Sequence, residues 1–132
     1  MTISPNDFKD KNIIVTGCAG FIGSHLTEDL VNNGANVIGI DNLYNGSMDN
    51  LKNVMNQKNF KFHQADIRDK QFIREITKNV DTIFHEAAFI DVQLSKEMIE
   101  LCNDVNVNGT LNILNAARIN DVERMILASS AA

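Results

Sequence analysis

The 132-residue sequence contains no tryptophan, one proline, one tyrosine and two cysteines. Cys18 and Cys102 lie far apart and neither belongs to a CxxC pair, so we expect buried free thiols in a reducing compartment rather than a disulfide or a metal site. Apolar runs are short: none approaches the roughly 20 residues of a membrane span, and the N-terminus has no cationic-then-apolar signal pattern. These absences favour a cytoplasmic protein with no membrane partner.

Positive charge is also scarce, and it is scattered. The formal net charge is -5, and the twelve lysines and arginines are spread along the chain without forming a basic patch. A nucleic-acid partner is therefore not expected, because phosphate backbones are bound by clustered cations. The hydrophobic content of 44% with 22% charged residues is typical of a globular protein. The length suits one core, so we divide the chain into a polar leader, 1–11, and one domain, 12–132.

From residue 12 onward, short apolar runs alternate with longer amphipathic segments. Near-continuous apolar character is typical of strands that are buried on both faces, as in parallel sheets. Strands alternating with helices therefore predict an α/β fold, with a parallel sheet covered by helices on both faces. The five predicted strands lie within 12–17, 36–41, 60–66, 81–88 and 123–130.

Apolar spacing and capping residues between the strands predict four helices. The first follows the first strand and is closed by Gly34 at the C′ position. Ser47 and Asp69 are placed to cap the second and third. The fourth is long, from about Ser95 to Asn120. The residues predicted to face inward are Ile22, Leu26 and Leu30; Leu51, Val54 and Met55; Phe72, Ile73 and Ile76; and Ile99, Cys102, Val105, Leu111 and Leu114.

Three glycines, Gly17, Gly20 and Gly23, follow the first strand in a GxxGxxG frame. At a strand-to-helix turn such glycines allow a tight turn and close approach of a diphosphate to the backbone, while the helix N-terminus attracts the anion. Asp41 ends the second strand, where a carboxylate accepts both ribose hydroxyls and repels a 2′-phosphate. The pattern predicts an NAD site that disfavours NADP. The alternatives are a glycine-rich turn and a strand-end acid that bind no ligand.

Five segments carry a resemblance to a known family, in the order TGCAGFIG, DNLYNG, ADIRD, HEAA and NVNGT. The chain resembles the extended short-chain dehydrogenase/reductases, the NAD-dependent epimerase/dehydratase family that acts on nucleotide sugars. The resemblance implies a Rossmann-type doubly wound parallel sheet of five strands in order 3-2-1-4-5, cut before the rest of the sheet and the substrate domain. The fifth strand is then an exposed edge. The implied NAD-binding residues are Gly17, Gly20, Phe21, Ile22, Gly23, Asp41, Asn42, Leu43, Asn45, Gly46, Asp66, Ile67, Ala87, Ala88 and Asn106.

Several of these residues have specific roles by the same resemblance. Asp66 meets the adenine amino group, and Ile67 flanks the ring. The backbone at Ala87 and Ala88 passes under the cofactor. Asn106 is assigned a cofactor contact, with a plain helix-surface amide as the alternative.

Three other residues in these motifs are given no cofactor contact. His85 is expected to be a hydrogen-bonded structural residue rather than a catalyst. Gly109, inside the long helix, indicates tight packing against the sheet or the cofactor, because glycine costs about 1 kcal/mol relative to alanine there. Glu86 stands where the family commonly has an apolar residue, so we expect it to face solvent or to pair with a cation elsewhere.

The chain reaches one catalytic-type residue, Ser130, which matches the family hydroxyl that hydrogen-bonds the sugar oxygen undergoing oxidation. The family's YxxxK supplies a tyrosine base and a lysine, but here Met48 stands four residues after the only tyrosine, Tyr44. We therefore expect the N-terminal part of an enzyme, able to hold NAD weakly and unable to turn over alone.

Ala131 and Ala132 bear on the reaction. Dehydratases of the family typically have Asp-Glu at these positions and epimerases commonly have small residues, so the sequence favours reversible oxidation of a UDP-sugar at C4. A nucleotide-sugar decarboxylase or dehydratase is an alternative, as is a non-catalytic dinucleotide sensor. Dimerisation through helices beyond these residues is common in the family, so a homodimer is a further expectation.

Overall fold

The computed structural model describes residues 4–129, in which one all-parallel, five-stranded sheet has the order β3-β2-β1-β4-β5. The predicted fold class and strand order are confirmed. The strand order reverses beside β1, which places a crevice at the carboxyl ends of the central strands. The strands are β1 (Asn12–Thr16), β2 (Asn36–Asp41), β3 (Phe60–Gln64), β4 (Thr82–His85) and β5 (Arg124–Leu127), each within its predicted segment.

The central strand explains why the runs are apolar throughout. Ile13, Ile14 and Val15 of β1 are all fully buried, at 0% exposure. Successive side chains point to opposite faces of a sheet, so Ile13 and Val15 join one core and Ile14 joins the other. Helices cover both cores, which leaves no polar face for these strands.

The predicted boundary residues Gly34 and Ser47 act as their local chemistry suggests. Gly34, at φ +85°, follows the first helix, and the Ala35 N–H donates to the Leu30 carbonyl at 3.0 Å, the Schellman arrangement expected of a C′ glycine. The predicted second helix is only a 3-10 turn, Met48–Leu51, which Ser47 caps as expected. The α-helices are α1 (Phe21–Asn32), α2 (Lys70–Ile76), α3 (Val92–Glu97), α4 (Ile99–Asn103) and α5 (Thr110–Ile119).

The predicted long helix is wrong in continuity and in the face it buries. Met98 separates α3 from α4, and a π-helical segment, Asp104–Gly109, joins α4 to α5. Leu111 and Leu114 are 52% and 46% exposed, and the buried face consists of Gly109, Ile113, Ala116 and Ala117. Three of these four buried residues are glycine or alanine, whose small size lets the helix lie close to its neighbours, whereas the prediction followed larger apolar side chains. A π turn also interrupts the 3.6-residue period on which such predictions depend.

Other inward positions need correction as well. Ile22, Met55 and Ile99 are exposed rather than buried. Ile22 belongs to the first turn of α1, which faces the crevice and not the core. The thiol of Cys18 is buried as expected, but Cys102 is only half-buried, and both are free.

The ends of the described chain differ in packing. Before β1, Phe8 is buried and packs edge to face against Phe84, with ring centroids 5.5 Å apart. At the other end, β5 pairs with β4 alone among the described strands and forms the exposed edge expected of it. Ser130, Ala131 and Ala132 lie outside the described residues. Between residues 4 and 129, no helix is long and apolar enough to cross a membrane.

Candidate functional site

A pocket of about 510 Å³ lies at the carboxyl ends of β1, β2, β3 and β4. Every residue predicted to bind the cofactor lines it except Leu43 and Asn106. The pocket-lining residues that were predicted to bind the cofactor are Gly17, Gly20, Phe21, Ile22, Gly23, Asp41, Asn42, Asn45, Gly46, Asp66, Ile67, Ala87 and Ala88. The pocket-lining residues that were not predicted to bind the cofactor are Ile40, Tyr44, Ala65, Arg68, Glu86, Phe89, Ile90, Leu101 and Val105.

The glycine turn is shaped by contacts that exclude larger residues. Gly17 has a φ of +70°, and a Cβ there would lie 2.8 Å from the backbone nitrogen of Ala87. A Cβ on Gly23 would collide with the carbonyl of Gly17. The N–H groups of Gly17 and Cys18 donate to the Ile40 carbonyl at 2.8 and 3.4 Å. The turn is therefore held against both β2 and the segment after β4.

The start of α1 offers hydrogen-bond donors to the pocket. Its N-cap is Gly20, which supplies no side-chain cap. The first helical bond runs from the Ser24 N–H to the Gly20 carbonyl, so within residues 4–129 the N–H groups of Phe21, Ile22 and Gly23 have no acceptor. All three residues line the pocket. Unpaired N–H groups at the positive end of a helix form an anion site that suits a diphosphate.

Asp41 is 8% exposed, and its carboxylate joins the glycine turn after β1 to the loop after β2. Its Oδ2 accepts the Ala19 N–H at 2.9 Å, and its Oδ1 accepts the Leu43 N–H at 2.8 Å. A carboxylate has about four lone-pair sites, so capacity for ribose hydroxyls is left. Leu43 adopts a φ of +61° and packs against the core. The structure thus places Leu43 behind the loop and outside the pocket lining.

The carboxylate of Asp66 is engaged at four positions by its own chain. Oδ1 accepts the backbone N–H and Nε of Arg68, both at 2.9 Å, and Oδ2 accepts Arg68 Nη2 at 2.8 Å and Asn42 Nδ2 at 3.2 Å. The Arg68 hydrogen bond is the main cause that lowers the pKa of Asp66 to about 2. An adenine amino group would have to displace one of these donors, and the Asn42 amide is the most distant.

Ile67, beside Asp66, explains the glycine at the end of the π-helical segment. A Cβ on Gly109 would lie 2.6 Å from Cδ1 of Ile67, which is 5% exposed. The Asn112 amide also donates to the Ile67 carbonyl at 3.1 Å. The helix is thus fitted onto the pocket wall through a glycine, as the tight packing expected of Gly109 requires.

His85 is 2% exposed and joins three elements. The Thr110 hydroxyl donates to the Asn106 carbonyl at 2.8 Å, so it accepts from Nε2 of His85 at 3.0 Å. Nδ1 then accepts from the Thr16 hydroxyl at 2.7 Å, and that oxygen accepts the Ala87 N–H at 3.2 Å. Burial lowers the pKa of His85 to about 4. The residue is a neutral structural link, as expected, and it holds Ala87 at the pocket.

Asn106 holds the backbone of Phe89 and does not line the pocket. Its Oδ1 accepts the Phe89 N–H at 2.7 Å, and its Nδ2 donates to the Phe89 carbonyl at 3.1 Å. The surface-amide alternative does not describe this arrangement, because both ends of the amide engage Phe89, and the cofactor contact stays a prediction. Asn106 positions the segment after β4, which itself lines the pocket.

Glu86 is half-buried and lines the pocket. Among the residues that the structure describes, it forms no ion pair. The same part of the chain has no group of three or more His, Cys, Asp or Glu side chains suited to a metal ion.

Comparison with known proteins decides the family. Residues 14–132 match the family model described as GDP-mannose 4,6 dehydratase. The chain belongs to this family. The resemblance to NAD-dependent epimerases and dehydratases is thereby confirmed, and the chain corresponds to their N-terminal, NAD-binding portion.

Three relatives show how much of a longer protein this chain covers. A putative UDP-glucose 4-epimerase from Methanocaldococcus jannaschii is 44% identical, over 89% of this chain and 37% of the relative. A dTDP-D-glucose 4,6-dehydratase from Bos taurus is 37% identical, over 98% of this chain and 38% of the relative. The solved UDP-glucose 4-epimerase of Thermus thermophilus, in complex with NAD, has a TM-score of 0.80 and 37% identity, over 90% of this chain and 37% of that chain.

NAD is the cofactor in solved members of the family, epimerases and a dehydratase alike. The chain spans less than two-fifths of the length of the relatives it matches.

Proposed function

We propose that the chain is the NAD-binding part of a nucleotide-sugar epimerase that reversibly oxidises a UDP-sugar at C4. The observation that supports this most is one pocket lined by nearly all the residues expected to bind the cofactor, with unpaired helix N–H groups among them. We also propose a homodimer and a cytoplasmic location for the whole protein.

The residues present suit an adenine dinucleotide. Asp41 would hold the adenosine ribose and repel a 2′-phosphate, with the base beside Asp66 and Ile67. The N–H groups at the start of α1 would hold the diphosphate, and the backbone at Ala87 and Ala88 would support the nicotinamide side. NAD, when bound, supplies the hydride acceptor. The chain's own part is to bind the dinucleotide and orient it.

Ser130 is proposed as the hydroxyl that hydrogen-bonds the sugar oxygen. This proposal depends on its place in the motif. The sequence contains no YxxxK, so the tyrosine that would accept the sugar proton is not among these 132 residues. We therefore propose that the chain alone does not interconvert UDP-glucose and UDP-galactose. Measurable interconversion by the isolated chain with NAD would overturn this.

A dehydratase or decarboxylase of the same family is the second candidate. The description of the matching family and the Bos taurus dehydratase relative favour it. Ala131 and Ala132 favour the epimerase, since dehydratases typically have Asp-Glu there. A non-catalytic dinucleotide sensor is the third candidate, and a YxxxK encoded downstream of Ala132 would count against it.

Calorimetric melting with and without NAD tests the cofactor site. A ligand at 100 times its Kd stabilises by about 2.7 kcal/mol, which raises Tm on the order of 10 °C for a domain of this size. NADP at equal concentration should raise Tm less, because Asp41 would repel its 2′-phosphate. A wild-type chain whose Tm does not respond to NAD would overturn the proposal.

Two glycine variants sharpen the experiment. Gly17→Ala should abolish the response, because its Cβ would meet the Ala87 backbone. Gly34→Ala is the matched control: Gly34 also has a positive φ, of +85°, but it lies outside the pocket, where a Cβ would meet only Lys9 Cγ at 3.4 Å. It should melt lower without NAD and still respond to NAD.

A further inference from the structure

Two aromatic rings in the pocket lining contact each other. The ring centroids of Tyr44 and Phe89 are 5.8 Å apart with an interplanar angle of 38°, and both residues line the pocket. Tyr44 follows β2 and Phe89 follows β4, the two strands that flank β1 in the sheet. The contact therefore joins the loops on either side of the glycine turn that follows β1.

The Tyr44 side of this contact is fixed by its loop. The Leu43 N–H donates to Asp41 Oδ1 at 2.8 Å, and the Tyr44 N–H donates to Asn42 Oδ1 at 3.0 Å, which makes two successive side-chain turns. Leu43 takes a φ of +61°, in the left-handed region that branched or bulky residues rarely adopt. After these turns, Tyr44 is presented to the pocket with 52% of its surface exposed.

The Phe89 side is fixed by the π-helical segment Asp104–Gly109. Asn106 engages both the N–H and the carbonyl of Phe89, at 2.7 and 3.1 Å. Phe89 is only 8% exposed, so its ring has little freedom to move. The contact thus joins an anchored ring, that of Phe89, to a half-exposed one, that of Tyr44.

We propose that Tyr44 and Phe89 form an aromatic bridge over the diphosphate part of the pocket and slow the release of the dinucleotide. The bridge is a barrier to release, and the proposal rests on the proposed NAD-binding function. A dinucleotide that runs from the Asp41 side to the Ala87 side must cross the glycine turn, where the bridge spans the crevice. Release then requires the rings to separate or the ligand to thread past them.

Dissociation of NADH from the 132-residue chain tests the bridge. The chain is loaded with NADH and mixed in a stopped-flow instrument with excess NAD, and the decay of NADH fluorescence reports the dissociation rate. Tyr44→Ala should raise that rate about 2- to 12-fold, the range that corresponds to aromatic pairing energies in proteins. Tyr44→Phe should keep the wild-type rate, and Tyr44→Leu should be intermediate, since it keeps apolar bulk and loses the ring.

A double-mutant cycle separates a bridge from two independent contacts. Phe89→Leu alone should speed release, and Phe89→Leu with Tyr44→Ala should be no faster than Tyr44→Ala. Leu111→Ala is the control, because Leu111 is also 52% exposed and lies outside the pocket; it should release NADH at the wild-type rate.

The outcomes distinguish the aromatic-bridge proposal from the NAD-binding proposal on which it rests. If wild-type binds NADH but Tyr44→Ala releases it at the wild-type rate, the bridge is wrong and the NAD-binding proposal stands. Fully additive effects of the two changes would likewise overturn the bridge. Failure of the wild-type chain to bind NADH would overturn both.

Discussion

Nδ1 of His85 lies 2.7 Å from the hydroxyl oxygen of Thr16, and this buried hydrogen bond joins the carboxyl ends of β4 and β1. Thr16 immediately precedes the glycine turn, and its oxygen also accepts the Ala87 N–H. One imidazole thus holds together the two backbone segments that meet at Gly17. The arrangement needs a neutral ring, because a protonated Nδ1 could not accept the Thr16 proton.

Acid should destabilise the fold through His85. Its pKa is about 4 in the folded chain against an ordinary value of 6.5, so the unfolded state takes up the proton first. The stability that the neutral ring contributes is present above pH 6.5 and is lost as the pH falls toward 4, by about 3 kcal/mol in all. Urea unfolding at pH 7.5, 6 and 5 should show a fall for wild-type and a flatter profile for His85→Gln. Parallel profiles would refute this role.

Asp41→Asn should damage both the loop and the cofactor preference. The amide keeps one acceptor oxygen for the two N–H groups of Ala19 and Leu43, which leaves one of them unpaired at a cost of about 1–3 kcal/mol. Titration calorimetry should show weaker NAD binding and a lower ratio of NAD to NADP affinity. Asp49→Asn, in an exposed turn outside the pocket, is the control. An unchanged ratio in Asp41→Asn would exclude Asp41 as the ribose ligand.

Arg68→Ala should strengthen the binding of NAD. Arg68 supplies three of the four donors to Asp66, and removal of its side chain frees two acceptor positions for an adenine amino group. We expect a gain of roughly 2- to 10-fold, the equivalent of one hydrogen bond. Nicotinamide hypoxanthine dinucleotide, whose base has a carbonyl in place of the adenine amino group, should show no gain in affinity. Arg74→Ala should leave the affinity for both dinucleotides unchanged. Weaker NAD binding by Arg68→Ala would show that the guanidinium supports the site instead.

Gly109→Ala should destabilise the protein although alanine favours helices. The propensity gain is about 1 kcal/mol, but the new Cβ would meet Ile67 Cδ1 at 2.6 Å. Overpacking of this kind costs about 1–3 kcal/mol. Combination with Ile67→Ala should cost less than the sum of the single losses, whereas combination with Leu51→Ala, in the other core, should be additive. Equal coupling in the two pairs would mean that the Ile67 contact is not the cause.

The sequence by itself determined the five strands and several caps and turns, because these depend on local chemistry. β-branched residues such as those at 13–16 fit the pleated, buried surface of a sheet. Asp69 could be recognised as a cap because its side chain accepts the Phe72 N–H within its own turn. Gly17 could be recognised as a turn residue and Gly34 as a helix C′ residue, because positions with positive φ favour glycine. The motif positions then placed nearly all the predicted site residues on one crevice.

Only the tertiary structure decided which hydrogen-bonding groups of the site are already engaged by other residues of the chain. Asn106 clamps Phe89, which lies 17 residues away, and Arg68 takes up most of the acceptor capacity of Asp66. Tyr44 meets Phe89 across a strand that is distant from both in sequence. Such pairings depend on where strands lie in a sheet and on how a π turn rotates a helix. Neither leaves a periodic signal in the chain, so the partners of a site residue emerge only when the fold brings them together.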